Sequence, residues 1–454
     1  MKVLHLPFCY FPDAAGGTET YVAALVRELG ALGVECAVAA PAAEDSVYEH
    51  EGVWVHRFAV NPGGVSLDDL SGAGDRHAAT RFHTILDRLR PDVVNLHALT
   101  SAVSLRSARA AKAHGAALVF TYHTPTVSCP RGTLLRFGAE ICDGELAKAP
   151  CTECVLHRRG MNRLSARVAS CAPRAAGAAL GALGLAGGPW TALRMSQLVA
   201  LRHRCFKELM EAADRVVAVC EWVRELLERN GVPPEKITVS RQGFGGAPPQ
   251  DREAPKTERR VPGNPLQIAF LGRFHATKGI GLLVEAILQD RGLPVRLDIF
   301  GLAQDGEGER LRAEIEAKFR DDKRIRFREP LPPANVRRTL AGYDALAVPS
   351  QWLETGPLVV YEAFAAGIPV VGSDLGGIRE LVRHGADGLL VPHASVNAWT
   401  ASLRRLATEE GLLTRLRSGV RPPRTMREAA EEMSRVYETV LGLSVEQGGR
   451  VAVG

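Results

Sequence analysis

Acidic residues are absent from positions 155–207, a stretch that holds Arg158, Arg159, Arg163, Arg167, Arg174, Arg194, Arg202, Arg204 and Lys207. No uninterrupted apolar run reaches the length of a bilayer. The uncharged stretch 175–193 comes nearest, but Ala and Gly dominate it and Pro189 breaks it. No secretory leader is expected: "MKVLHLPFCYFP" is interrupted by His5 and Pro7, and no small-residue cleavage site follows. A cytoplasmic location is expected. Net charge is only +5, from 56 Lys+Arg against 51 Asp+Glu, which is too mild to argue for nucleic acid. The basic stretch shares its length with Ala and Gly rather than with aromatics that stack on bases, so nucleic acid is not an expected partner.

What is present fits an ordinary globular chain of 454 residues, 46% hydrophobic and 24% charged. Strand-like runs ("VLHL", "ECAVAA", "VWVHRF", "DVVNLH", "ALVFTYH") alternate with helical patterns. One of these places Tyr21, Leu25, Leu29 and Leu32 on one face. The alternation implies parallel sheets built from βαβ units. It restarts with "LQIAFLG", "VRLDIFG", "RIRF", "DALAVPS" and "IPVVGSD" after a polar, Pro-rich segment. The expected architecture is α/β: two doubly wound, Rossmann-like domains facing across a cleft. Their bounds are 1–244 and 266–424, joined by a linker at 245–265. A final helix and tail at 425–454 would pack back on the first domain.

Three strand-to-helix junctions carry glycines or cations. "LGRFHATKG" offers Arg273 and Lys278 between Gly272 and Gly279. "SDLGGIRELV" opens a helix at Gly376 and Gly377, and "DAAGGTETYV" does so at Gly16 and Gly17. Together they suggest a diphosphate ligand. "ETGPLVVYE" sets Glu354 on the exit loop of a strand and Glu362 on the helix that follows, where carboxylates can accept sugar hydroxyls. A Glu362 that pairs with a nearby Arg is the competing reading.

"GRFHATKG", the E-x7-E of "ETGPLVVYE" and "GGIRE" resemble the donor-binding half of family 4 retaining glycosyltransferases of the GT-B fold. "GGTETYVAALVRELGALG" is similar to their first glycine loop and helix, and "ADRVVAVCEWVRELLERNGVPPEKITVSRQG" to the segment before their linker. The resemblance implies a hexose moved from a nucleoside diphosphate-sugar to a glycan or lipid-linked acceptor, with retained configuration. It also implies roles: Arg273 and Lys278 at the diphosphate, Glu354 at the transferred sugar, Glu362 at the ribose. Gly376 and Gly377 would lie at sugar and phosphate, with Gly16 or Gly17 contributed by the other domain. His123 in "TYHT" matches a histidine beside the reacting centre, and His97 in "VNLH" is a second candidate. No Asp-x-Asp occurs, in keeping with chemistry that uses no catalytic metal. A nucleotide-sugar epimerase of the same fold and a non-catalytic sugar-nucleotide-binding partner are the alternatives.

The region 128–210 departs from the family pattern. Cys129, Cys142, Cys151 and Cys154 form C-x12-C-x8-C-x2-C, four of nine cysteines. This spacing suits a structural zinc or an iron–sulfur cluster. The acid-free stretch that follows reads either as helices lying on an anionic membrane, at the inner face, or as a helical hairpin over the acceptor site.

Overall fold

The computed structural model describes residues 1–13, 16–246 and 264–443. Most of the linker expected at 245–265 lies outside the described residues. The chain forms two compact units, residues 1–241 with 426–454, and residues 242–425.

Unit 1 carries β1 (Lys2–Leu6), β2 (Glu35–Ala42), β3 (Ser46–His50), β4 (Val53–Ala59), β5 (Val93–Leu96), β6 (Ala117–Tyr122), a small antiparallel hairpin of β7 (Leu135–Arg136) and β8 (Glu140–Ile141), then β9 (Arg215–Ala218) and β10 (Ile237–Val239). Its main sheet runs in the order β10-β9-β6-β5-β1-β2-β4-β3. Every pair is parallel except β3 on β4. β1 sits between β2 and β5, so the chain reverses its direction of sheet growth there. In doubly wound sheets that reversal opens a crevice at the carboxyl ends of the strands.

The helix Gly17–Ala31 presses Tyr21, Val22, Leu25, Val26 and Leu29 onto this sheet. Each such buried side chain is worth about 1.5–3 kcal/mol. The helix Met426–Val440 joins the same core through Met426, Ala429, Ala430, Met433, Val436 and Tyr437. Asn95 Nδ2 donates to the Tyr437 hydroxyl at 2.8 Å and Thr121 Oγ1 donates to Asn95 Oδ1 at 3.0 Å. The last helix is thus fixed to β5 and β6 by a buried polar chain as well as by packing.

Unit 2 carries β11 (Leu266–Arg273), β12 (Val295–Leu302), β13 (Ile325–Arg328), β14 (Ala345–Val348), β15 (Val370–Ser373) and β16 (Gly388–Val391), all parallel, in the order β13-β12-β11-β14-β15-β16. Alternation decides which face each residue serves. Leu266, Ile268 and Phe270 enter one core and Ala269 the other; Ala345 and Ala347 go to the first, Leu346 and Val348 to the second. Helices cover both faces, which is why these strands read as nearly continuous apolar runs. The reversal point here lies between β11 and β14.

Candidate functional site

In unit 2 the loops leaving β11, β14 and β15 interlock through glycine. Gly279 has φ +70°, and a Cβ there would fall 1.8 Å from the Pro349 carbonyl oxygen. Gly376 has φ +51°, and a Cβ on Gly377 would lie 2.8 Å from the Glu354 carbonyl oxygen. Only glycine permits either approach. Backbone bonds finish the joint: Gln351 N donates to Thr277 O at 2.7 Å, and Gly377 N donates to Glu354 O at 2.7 Å. The three loops that carry Arg273–Lys278, Glu354 and Gly376–Gly377 are therefore one packed assembly at the switch point.

Within it, the Lys278 ammonium donates to Glu354 Oε1 at 2.7 Å, and Ser350 Oγ donates to the same oxygen at 2.8 Å. Burial pushes the Glu354 carboxyl up, but the Lys278 charge and these hydrogen bonds outweigh it and leave it below its ordinary value. An ammonium has three donors, so one bond to Glu354 leaves two for a ligand. Arg273, exposed at the end of β11, touches the neutral Gln304 side chain at 3.1 Å and has no ion pair among the described residues. The cations thus exceed the acid that holds them. That is the electrostatic demand of an anion site.

Glu362 sits half-buried on the helix Leu358–Ala365, where its carboxylate has no hydrogen-bond or ion-pair partner among the described residues. Desolvation pushes its pKa up to about 7. The Arg partner weighed for it in the sequence is not there.

In unit 1 the carboxyl ends of β1, β5 and β6 bring together three buried histidines. His5 Nδ1 lies 3.1 Å from His97 Nε2, and His97 Nδ1 lies 2.9 Å from His123 Nε2. Burial drives His5 and His123 down to about 3 and holds His97 well below its usual value, so all three are neutral. His5 Nε2 is buried without a partner among the described residues. With neutral rings the hydrogens of this chain run one way, so the three share one tautomer: Nδ1–H if His5 donates to His97, Nε2–H if His123 does. The His123 ring lies 4.9 Å from that of Tyr21. His5 was not legible as a site residue, since a lone polar residue in "VLHL" reads as strand interior.

Gly16 caps the helix Gly17–Ala31 in extended conformation, and a Cβ there would lie 2.6 Å from the buried Glu19 carboxylate. This helix start already holds a negative charge of its own chain, a favourable pairing with the helix dipole.

The four-cysteine reading finds no support in the structure. Among the described residues no three His, Cys, Asp or Glu side chains converge to hold a metal ion. The zinc or iron–sulfur reading of Cys129, Cys142, Cys151 and Cys154 is therefore unsupported, although the four thiols are near neighbours: burial, and then Cys129, Cys142 and Cys154, push the Cys151 thiol up. Their sulfurs turn to the protein: Cys154 Sγ accepts from Phe137 N at 3.3 Å, Cys151 Sγ reaches Glu145 O at 3.9 Å, and Cys142 Sγ reaches Asp143 Oδ1 at 3.7 Å. The insert is tied down by other means. Asn230 receives Leu146 N at 2.9 Å and donates to Gly144 O at 3.0 Å, and an apolar cluster of Val155, Leu156, Ala166, Met195, Leu198 and Val199 fills its base. The basic stretch is also less uniform than its sequence suggests. Arg194 is buried against Asp68 at 2.5 Å, and Arg202 is buried on the carbonyls of Leu99 and Thr126.

Two family models match the chain: "Glycosyl transferase 4-like domain" over residues 16–243 and "Glycosyl transferases group 1" over residues 251–421. D-inositol 3-phosphate glycosyltransferase of Nocardia farcinica is 34% identical over 220 residues, 46% of this chain and 48% of that protein. The chain spans about half the length of the curated relatives it matches. Among solved structures, sucrose-phosphate synthase of Thermosynechococcus elongatus superposes with TM-score 0.66 at 18% identity, covering 98% of this chain and 100% of that one. Anabaena Alr3699/HepE, solved with UDP and glucose, gives TM-score 0.62 at 17% identity, covering 97% and 100%. At that identity the likeness is one of fold: both units are Rossmann-like, of GT-B type.

Proposed function

Because the chain belongs to the glycosyl transferase 4-like family, we propose that it is a retaining glycosyltransferase. It moves a hexose from a nucleoside diphosphate-sugar to a glycan or lipid-linked acceptor in polysaccharide or glycolipid synthesis, working at the inner face of the membrane. The observation that carries this reading is the Lys278–Glu354 pair, set among three interlocked loops at the strand-order reversal of unit 2.

In this reading unit 2 binds the donor. Arg273 and the two remaining Lys278 donors hold the diphosphate and neutralise it as the sugar leaves. Glu354 orients Lys278 and meets the transferred sugar, and Glu362 accepts the ribose hydroxyls. Gly376 and Gly377 leave room for sugar and phosphate beside the Glu354 backbone. Unit 1 contributes Gly16, Gly17 and His123. The acceptor hydroxyl attacks the anomeric carbon on the face from which the diphosphate departs. The C–O bond to phosphate breaks as the new glycosidic bond forms, and the acceptor proton goes to the departing phosphate oxygen. Product analysis by proton NMR tests this: an α-configured donor gives an α-linked product. A β-linked product would remove the front-face mechanism.

A further inference from the structure

The outer surface of the inserted helices lacks what water-facing helices carry. On the helix Arg163–Ser170 the small residues Ala166 and Ala169 turn to the cluster at the base of the insert. Leu164 and Val168 point outward, 74% and 69% exposed, with Arg163 and Arg167 beside them. Residues four apart share a helix face, so an apolar pair and a cationic pair run side by side. The next helix, Arg174–Ala182, is seated by glycine: a Cβ on Gly177 would come within 2.8 Å of Gln197 Cβ, and one on Gly181 within 2.8 Å of the Arg194 guanidinium. Its other face, including Ala175, Ala178 and Ala182, is exposed and has no charge beyond Arg174. Leu183, Trp190 and Leu193 continue the exposed surface. Five of the eleven exposed large apolar side chains among the described residues thus fall between positions 164 and 193.

A solvent-facing helix of a globular protein ordinarily mixes acids and bases on its outer side. Here there is no acid from 155 to 207, and Arg159, Arg167 and Arg174 are exposed without ion pairs among the described residues. A second copy of the chain would set two acid-free basic faces against each other, a repulsive arrangement. A sheet of anionic headgroups complements both the charge and the apolar side chains. No described helix is long and apolar enough to cross a membrane, so the geometry is that of a surface that lies on lipid.

We propose that residues 159–193 dock this protein on an anionic bilayer. Leu164, Val168, Leu183, Trp190 and Leu193 enter the headgroup region while Arg159, Arg167 and Arg174 meet lipid phosphates. The proposal deepens the transferase reading, on which it rests for its purpose of bringing the enzyme to a lipid-linked acceptor. Sedimentation of the full chain with phosphatidylglycerol-containing vesicles, against pure phosphatidylcholine vesicles, tests it. Selective binding to the anionic vesicles is expected, weakened about fivefold by Arg167→Gln and again by Arg174→Gln, the effect of about 1 kcal/mol per surface cation. Leu164→Ser with Leu183→Ser should weaken it further, with circular dichroism and nucleoside diphosphate binding unchanged. Equal binding to both vesicles, indifference to these substitutions, or a dimer that the Leu substitutions dissociate would overturn it. Vesicle binding without transferase activity would remove only the transferase reading. Transfer to a soluble acceptor without vesicle binding would remove only the docking face.

Discussion

Lys278 Nζ lies 2.7 Å from Glu354 Oε1, though the two residues stand 76 positions apart in the chain. Each holds the other in place, and removing either changes two properties at once. Lys278→Ala should weaken nucleoside diphosphate binding by about 1.5–3 kcal/mol, the scale of a charge-assisted hydrogen bond. It should also lower stability by about 1–3 kcal/mol, because a buried carboxylate loses its partner. Adding Glu354→Gln should restore part of the stability and none of the affinity. Calorimetric titration and urea unfolding separate the two effects. An unchanged affinity would take Lys278 out of the site.

The pH dependence of donor binding follows from Glu362. Its folded pKa, about 7, stands above the carboxylate value of 4.5. Between those values the folded state binds the extra proton, so this residue's contribution to stability declines as pH rises through the window. Ribose hydroxyls donate to the ionised form, so nucleoside diphosphate affinity should rise with pH through about 7 and then level off. In Glu362→Gln the curve should be flat across that range. A wild-type curve as flat as the variant's would separate Glu362 from the ribose.

The histidine chain predicts a spectroscopic signature. Nitrogen-15 NMR should show His5, His97 and His123 as neutral rings in one shared tautomer, none of them titrating between about pH 5 and 8, where an unperturbed imidazole does. His97→Asn should release His123 from this single tautomer while leaving nucleoside diphosphate binding to unit 2 intact. Rings in different tautomers, or a titration within that range, would contradict the chain.

The last helix makes a prediction of stability. Tyr437→Phe removes a buried hydroxyl bonded to Asn95 and should cost about 1 kcal/mol. Met433→Ala empties core volume and should cost about 2–5 kcal/mol. Thermal unfolding of unit 1 is the readout. Equal, negligible losses would mean that the helix is dispensable to that core.

Much of this was open to a reader of the sequence because βαβ alternation is a local pattern. "DALAVPS", "RIRF" and "IPVVGSD" each carry their strand in their own residues. Short edge strands such as β3, β10 and β16 lack that signal, because runs of 5, 3 and 4 residues hold too few alternating positions to stand out from a loop. Gly376 and Gly377 announced a special turn, but not that the Glu354 backbone fills the space their missing side chains leave. His5 joins His97 and His123 only through strand order. The inward turn of Arg194 depends on Asp68, 126 positions away. The four cysteines teach the reverse lesson: spacing suggested a cage and the fold brings the thiols near one another, but no three side chains are set to hold a metal ion among the described residues.

The central claim is tested most directly by incubating the protein with UDP-, GDP- and ADP-sugars and measuring nucleoside diphosphate release with and without a membrane lipid extract. The account predicts release from one donor class that depends on the extract and is lost in Lys278→Ala. Release without any acceptor would point to another reaction on the same fold, such as epimerisation. Tight donor binding with no release under any condition would contradict the account and leave a sugar-nucleotide-binding protein without transferase chemistry.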